Sequence, residues 1–358
     1  AYNNSENFGR ADRGAAYALH ARLALNSAVY TDGQIKDYQK AIDYCDRIID
    51  GEGKDKYALC REKKNGYSGY QQLFMGDNDC NPEAMKEIIF PIRQDGVKTR
   101  AYAGTSYLVN ASTITGMPYA STSDPWKCLF ARVDLVKKFF PNEDIPKATD
   151  EDLLSNPSKD QVIAKDNEMG ISTADVIAKA KDDRALFYMG IGGCSDKVRT
   201  LTPGDAITSP LNGASFVKWT NLHADGTAQH HQNFSDTDFP MFRLAEIYLT
   251  RAEAKFRLNG SQDGLADILE VQGRANRDLK ASSVDEQTLI DEWCREFYME
   301  GRRRSDLVRF GLFTGSKYLW SFKGGSENGQ GIPTKCNIYP IPGDEIKNNP
   351  NMTQNPKY

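Results

Sequence analysis

The chain has 358 residues, 39% of them hydrophobic and 26% charged, with a formal net charge of −4 and a pI near 5.7. No Lys/Arg-rich run occurs outside Arg302-Arg303-Arg304, which disfavours a nucleic-acid partner, and no apolar run is long enough to span a bilayer. The 7 cysteines contain no C-x-x-C pair, so free thiols are expected rather than a zinc site or disulfide framework, with a Cys60–Cys80 bridge left open.

Residues 9–30 are Ala-rich and read as a helix with Ala16, Leu19, Leu23 and Ala24 on one face, broken by Thr31-Asp32-Gly33. Residues 34–50 place Tyr38, Ala41, Ile42, Cys45, Ile48 and Ile49 at helical spacing, so the pair forms a helical hairpin of tetratricopeptide size. Residues 57–81 are polar and Gly-rich, a loop, and residues 86–92 read as a short strand. Residues 100–126 carry Tyr102, Tyr107, Tyr119 and Trp126 among Gly, Ser, Thr and Asn with neither helical nor strand period. Long irregular segments in compact proteins are usually functional. A short helix is expected over 133–140, a charged excursion over 141–165, glycine-rich turns after Phe187, and a strand over 215–222.

Met241, Leu244, Ala245, Tyr248, Ala252 and Phe256 then form one apolar stripe, ended by Gly260. A second helix follows over 262–277, and a third from Asp285 carries Leu289, Ile290, Trp293 and Phe297. The pair over 242–277 repeats the character of the amino-terminal hairpin, with an Ala-rich first helix carrying an internal arginine (Arg22 there, Arg251 here) and a Gly-containing turn. The chain is therefore expected to be mostly α: a tetratricopeptide-like scaffold (1–50 and 241–310) supporting a loop-rich cap (98–235), with an extended tail (311–358) in one domain.

Glu292, Glu296 and Glu300 fall at i, i+4 and i+8. Two carboxylates flanking a bond are the requirement of glycoside hydrolysis, but like charges at that spacing need cations facing them. Arg243, Arg274, Arg277 and Arg302 to Arg304 are available, so an ionic brace is expected and no catalytic residue is assigned. His230-His231, near His223, lack a completing ligand at metal spacing and read as a polar loop. Asp77, Asp79, Asn81 and Glu83 alternate as calcium ligands would, but Pro82 and Ile88 break the EF-hand pattern, which leaves only a looser structural calcium site open. No triad signature, phosphate loop or dinucleotide fingerprint occurs, and no organic cofactor is expected. The aromatic stretch is the site candidate, because exposed Tyr and Trp rings stack on the C–H faces of sugars. The competing reading is that these rings pack the loop onto the scaffold, most of all Trp126, which precedes Leu129, Phe130 and Val133.

Several segments carry a family resemblance: Phe242-Arg243-Leu244-Ala245-Glu246 with Ala252-Glu253-Ala254, Arg274-Ala275-Asn276-Arg277, and Glu296-Phe297-Tyr298-Met299-Glu300-Gly301-Arg302-Arg303. Asp306-Leu307-Val308-Arg309-Phe310-Gly311, Tyr318-Leu319-Trp320, Tyr339-Pro340-Ile341-Pro342 and Asn349-Pro350-Asn351-Met352-Thr353-Gln354-Asn355-Pro356 follow in order. Together they resemble roughly the carboxy-terminal two thirds of a SusD/RagB-family protein, the surface nutrient-binding lipoproteins of Bacteroidetes. The resemblance implies a non-enzymatic binder, lipid-anchored at the outer-membrane surface, that captures an oligosaccharide and delivers it to a SusC-like TonB-dependent transporter. Peptide capture, as in RagB-like members, is the alternative within the family. It also implies that the lipid-attachment Cys, a first helix and part of the ligand surface lie upstream of Ala1. Lys357 replaces the family's usual Gly before the terminal Tyr.

Overall fold

A computed structural model describes residues 7–118, 120–202, 209 and 211–358. Helix α1 (Arg13–Leu25) begins where the Asp12 side chain accepts the Ala15 N–H at 2.8 Å, satisfying one of the free donors of the first turn. It buries Ala15, Ala18, Ala21, Ala24 and Leu25, whereas Leu19 and Leu23, expected on the packed face, are each 46% exposed. The small side chains face inward because α2 (Tyr38–Ile49) lies close against them, burying its own Tyr38, Ala41, Cys45 and Ile48 as its spacing predicts.

Residues 86 and 87 end helix α3 (Pro82–Glu87) rather than starting a strand, because Asn81 caps that helix and Pro82 occupies its first position. Strand β1 is Ile88–Ile92. Helix α4 (Gly104–Ser112) interrupts the stretch expected to be irregular. Its Ser, Thr and Asn residues are poor helix formers, and burial of Thr105, Ser106, Val109 and Asn110 overrides that propensity. Strand β2 (Phe130–Ala131) and the single turn α5 (Val133–Val136) follow. The charged excursion then contains α6 (Lys159–Glu168), and beyond it lies α7 (Thr173–Ala180). Both open with capping boxes, Ser158 with Gln161 and Ser172 with Asp175. Strands β3 (Phe187–Tyr188) and β4 (Ala214–Phe216) complete a small sheet in the order β2-β4-β3, shorter than the strand expected over 215–222.

Strand β5 (Phe239–Arg243) pairs antiparallel with β1, Ile88 opposite Arg243 and Ile92 opposite Phe239. Met241 is therefore in a strand, not in the helix its spacing suggested. Helix α8 (Leu244–Asn259) starts after it and stops at Gly260, whose φ of +70° suits glycine. From Leu244 to Ala254 every residue except Tyr248 is buried, so α8 is an internal helix rather than one with a single apolar stripe. It packs on α2 and on α9 (Leu265–Arg274), and α10 (Glu286–Phe297) follows. At the α8–α9 crossing an added Cβ on Gly264 would stand 2.7 Å from the Ala252 carbonyl.

Contacts divide the chain into two compact units, Ala1–Glu296 and Phe297–Tyr358. The second contains α11 (Arg303–Arg309) and α12 (Gly343–Asn348), the latter within the tail expected to be extended. Cations on rings organise this unit. Arg304 lies 4.8 Å from the Phe313 ring centre and 4.0 Å from that of Tyr339, and the buried Lys323 donates to the carbonyls of Gly315 and Tyr318 at 2.9 and 2.6 Å.

Candidate functional site

Three of the four predicted aromatics come together. Tyr107 stands on α4, Tyr102 two residues before that helix, and Trp126 returns along its far end, where the Trp126 N–H donates to the Asn110 carbonyl at 2.8 Å. The Tyr102 and Trp126 ring centres are 5.6 Å apart and those of Tyr107 and Trp126 5.7 Å, the latter edge to face. Tyr102 is 52% and Tyr107 41% exposed, values that core packing does not produce for rings. Tyr119 lies outside the described residues.

Two further rings, which the sequence reading missed, extend the cluster. Phe234 is 4.9 Å from Tyr102, and His231 is 4.7 Å from Phe234. Phe234 carries the same signal as the predicted residues, a lone aromatic in a polar, irregular stretch, and follows closely on the His230-His231 pair read as a polar loop. The His231 Nδ1 accepts the N–H of Asn233 at 3.0 Å, so it closes a turn. Asn233 supplies the polar counterpart at the rim: its Oδ1 accepts from Ser123 Oγ at 2.5 Å and its carbonyl from Asn110 Nδ2 at 3.2 Å.

The backing of this loop is charged and buried. Asn221 Nδ2 donates to the carbonyls of His231 and Phe234 at 3.0 and 3.3 Å, and its Oδ1 accepts the Asp236 N–H at 2.7 Å. Asp236 Oδ2 stands 3.1 Å from His223 Nε2 and accepts the His230 N–H at 2.9 Å. The bond to Asp236 raises the pKa of His223 above its ordinary 6.5 despite burial. Burial pushes the Asp236 carboxyl up, but the bonds from His223 and His230 outweigh it and hold the pKa below the usual range. On the approach to Tyr102, Asp95 Oδ1 accepts the N–H groups of Val97, Lys98 and Thr99, which fixes the turn and holds that carboxyl at about 2.

The carboxylate row lies elsewhere and serves another purpose. Glu292 and Glu296 are fully buried. Arg184 Nη1 reaches Glu296 at 3.0 Å, and Arg274 and Arg243 pair with the same carboxylate. Gln272 and Arg295 reach Glu292 at 2.8 and 2.7 Å. Burial alone would raise both pKa values, but the surrounding guanidiniums win, holding Glu292 at about 2 and Glu296 lower still. A general acid needs a raised pKa and access to the leaving group, and this pair has neither. Glu300 does not continue the row, because α10 ends at Phe297 and Met299 and Gly301 take φ of +61° and +73°.

The side chains suspected of holding calcium are engaged by protein groups. Asp77 accepts the Ala224 N–H at 2.8 Å, Asp79 pairs with Arg93 at 2.6 Å, Asn81 caps α3 and Glu83 pairs with Lys86 at 2.7 Å. The cysteines are free among the described residues, Cys60 and Cys80 included.

A profile of the SusD family matches residues 86–358. The chain is 51% identical over 357 residues to the starch-binding protein SusD of Bacteroides thetaiotaomicron, an alignment covering 98% of this chain and 61% of that protein. It is 30% identical over 147 residues to SusD-like protein P25 of Formosa agariphila, covering 39% of this chain and 27% of that one. Surface glycan-binding protein A of Bacteroides thetaiotaomicron superposes with a TM-score of 0.63 at 17% identity, over 99% of this chain and 66% of that one. A further structure of a protein of that name, in complex with laminarihexaose, gives 0.62 at 17% identity over the same shares. A SusD-like protein from Bacteroides fragilis gives 0.63 at 20% identity, over 99% and 67%. The chain thus spans 61% of the length of its starch-binding relative, and with the fold, the ordered signature segments and the profile in agreement, it belongs to the SusD family.

Proposed function

We propose that the Tyr102–Tyr107–Trp126–Phe234 cluster is a stacking platform for a neutral glycan at the outer-membrane surface. The chain would hold that glycan without cleaving it and pass it to a SusC-like TonB-dependent transporter. The observation that carries this reading is the set of partly exposed rings in mutual contact on one loop-rich face, with the Asn233 and Ser123 side chains beside them. Ring faces cover the C–H surface of a sugar while amides and hydroxyls read its hydroxyl groups, and no unit charge is needed. The starch-binding name of the 51%-identical relative supports an α-glucan as the ligand, and the laminarihexaose complex of the structural neighbour supports glycans as a class.

The test is retardation of the chain in gels containing soluble starch, followed by calorimetry with maltoheptaose. Trp126→Ala and Tyr102→Ala are expected to abolish retardation while leaving the melting transition in place. Retention on mixed peptides with no response to any glycan would replace this reading with peptide capture. Sugar release from the same polysaccharides by the pure chain would overturn the non-enzymatic part.

A further inference from the structure

A cavity of about 450 Å³ opens in the first unit, between the turn at 65–67, the floor residues Met75, Met117 and Trp219, and the start of α7. That volume lies within the range of small-molecule sites. Its chemistry is neutral. Among the described residues lining it, Lys218 has the one full charge, and that ammonium is buried 4.3 Å from the Phe74 ring centre and 5.2 Å from that of Tyr70. A carboxylate or phosphate would find no exposed cation there, and an amine no carboxylate.

What the wall offers instead is amides and a phenol set in place by local structure. Asn65 stands at φ +48° beside the Lys64–Tyr67 bridge and gives its Nδ2 to the Ala224 carbonyl at 2.8 Å. Gln71 Oε1 accepts the Ser68 N–H at 3.0 Å, one half of the capping box that opens the helical turn Gly69–Gln72. Among the described residues this leaves the Asn65 Oδ1, the Gln71 Nε2 and the Tyr67 hydroxyl without protein hydrogen bonds. The two amides are thus held as an acceptor and a donor beside an apolar floor, with the Tyr67 hydroxyl, which is both, on the same wall, and holding the amides in advance lowers the ordering cost of binding. The platform uses none of these residues.

We propose that this cavity is a second binding site, separate from the aromatic platform, for a neutral hydroxyl-rich molecule of mono- to disaccharide size. The inference does not rest on the function proposed for the platform, since the cavity can fill whether or not the platform takes glycan.

Tryptophan positions make the test selective, because Trp126 reports the platform and Trp219 the cavity. The whole chain is labelled with 5-fluorotryptophan and titrated with glucose and maltose, and the fluorine resonances are followed. In a Trp126→Ala variant, maltose is expected to keep moving the Trp219 resonance in a saturable way. Ala174→Phe at the cavity mouth, and independently Gln71→Ala, are expected to weaken that response at least tenfold. An unmoved Trp293 resonance, from the buried helix α10, certifies that each variant is folded. A Trp219 resonance that ignores both sugars, moves only when Trp126 is present, or responds more strongly to glucuronate or inorganic phosphate overturns the proposal.

Discussion

Trp126 touches both Tyr102 and Tyr107, so its removal takes away one ring face and the support of two others. Aromatic pairs are worth about 0.5–1.5 kcal/mol beyond their burial. Trp126→Ala should therefore weaken glycan affinity by roughly tenfold or more, about 1.4 kcal/mol, and Phe234→Ala by less, as it meets Tyr102 alone among the tyrosines. Calorimetry with one maltooligosaccharide would rank them, and equal affinities would remove Trp126 from the site. The loop behind these rings should respond to pH. Folded His223 binds its proton more tightly than the unfolded chain, so its contribution is full below about 6.5 and is lost as pH rises through the folded value. Asp236 runs the other way, contributing above its ordinary 3.8 and losing that contribution as pH falls through its depressed folded value. Glycan affinity is accordingly expected to decline from mildly acid to alkaline pH. A His223→Gln variant should flatten that decline, and a wild-type profile without slope would refute the coupling.

At the level of elements, two kinds of contact hold the scaffold. One is close approach: α9 reaches α8 because residue 264 lacks a side chain. Gly264→Ala, at an unstrained φ of −72°, should cost about 1–3 kcal/mol by overpacking alone. It should leave the glycan affinity of the folded fraction unchanged, which separates scaffold from site. The other is the ionic brace linking β5, α9 and α10 through Glu296. Glu296→Gln leaves three guanidiniums facing a neutral amide and should destabilise by about 3–5 kcal/mol, readable as a lower denaturation midpoint. Wild-type stability in that variant would show that the brace carries no energy.

For the whole molecule, a net charge of −4 gives no strong field to steer ligands, and the rings of the proposed platform carry no full charge. Affinity for a neutral glucan should change less than about twofold between low and high salt, because screening acts only on charges. A steep salt dependence would point to a charged ligand. Much of this architecture was legible in the chain. The α2 stripe, the Gly260 stop and the cluster of aromatics in a polar stretch all follow from local rules. What was not legible depends on partners distant in sequence. Whether alanines or leucines of α1 face inward depends on how near α2 comes. Residues 239–243 become a strand because β1 lies beside them, and α4 forms from poor helix formers because the 233–235 loop packs over it.

The brace also bears on how the chain matures. Glu87, Arg184, Arg243, Arg274 and Glu296 meet in one buried cluster, yet they emerge from the ribosome far apart, the last after most of the first unit has been made. Until Glu296 arrives, Arg243 and Arg274 have only the one buried carboxylate of Glu87 between them, so two guanidiniums face a single negative charge and the nascent first unit has reason to stay open. Chains released before residue 296 should be readily digested by protease, whereas release after it should confer resistance in a single step. A polypeptide that postpones its own closure in this way stays extended until its scaffold is nearly complete.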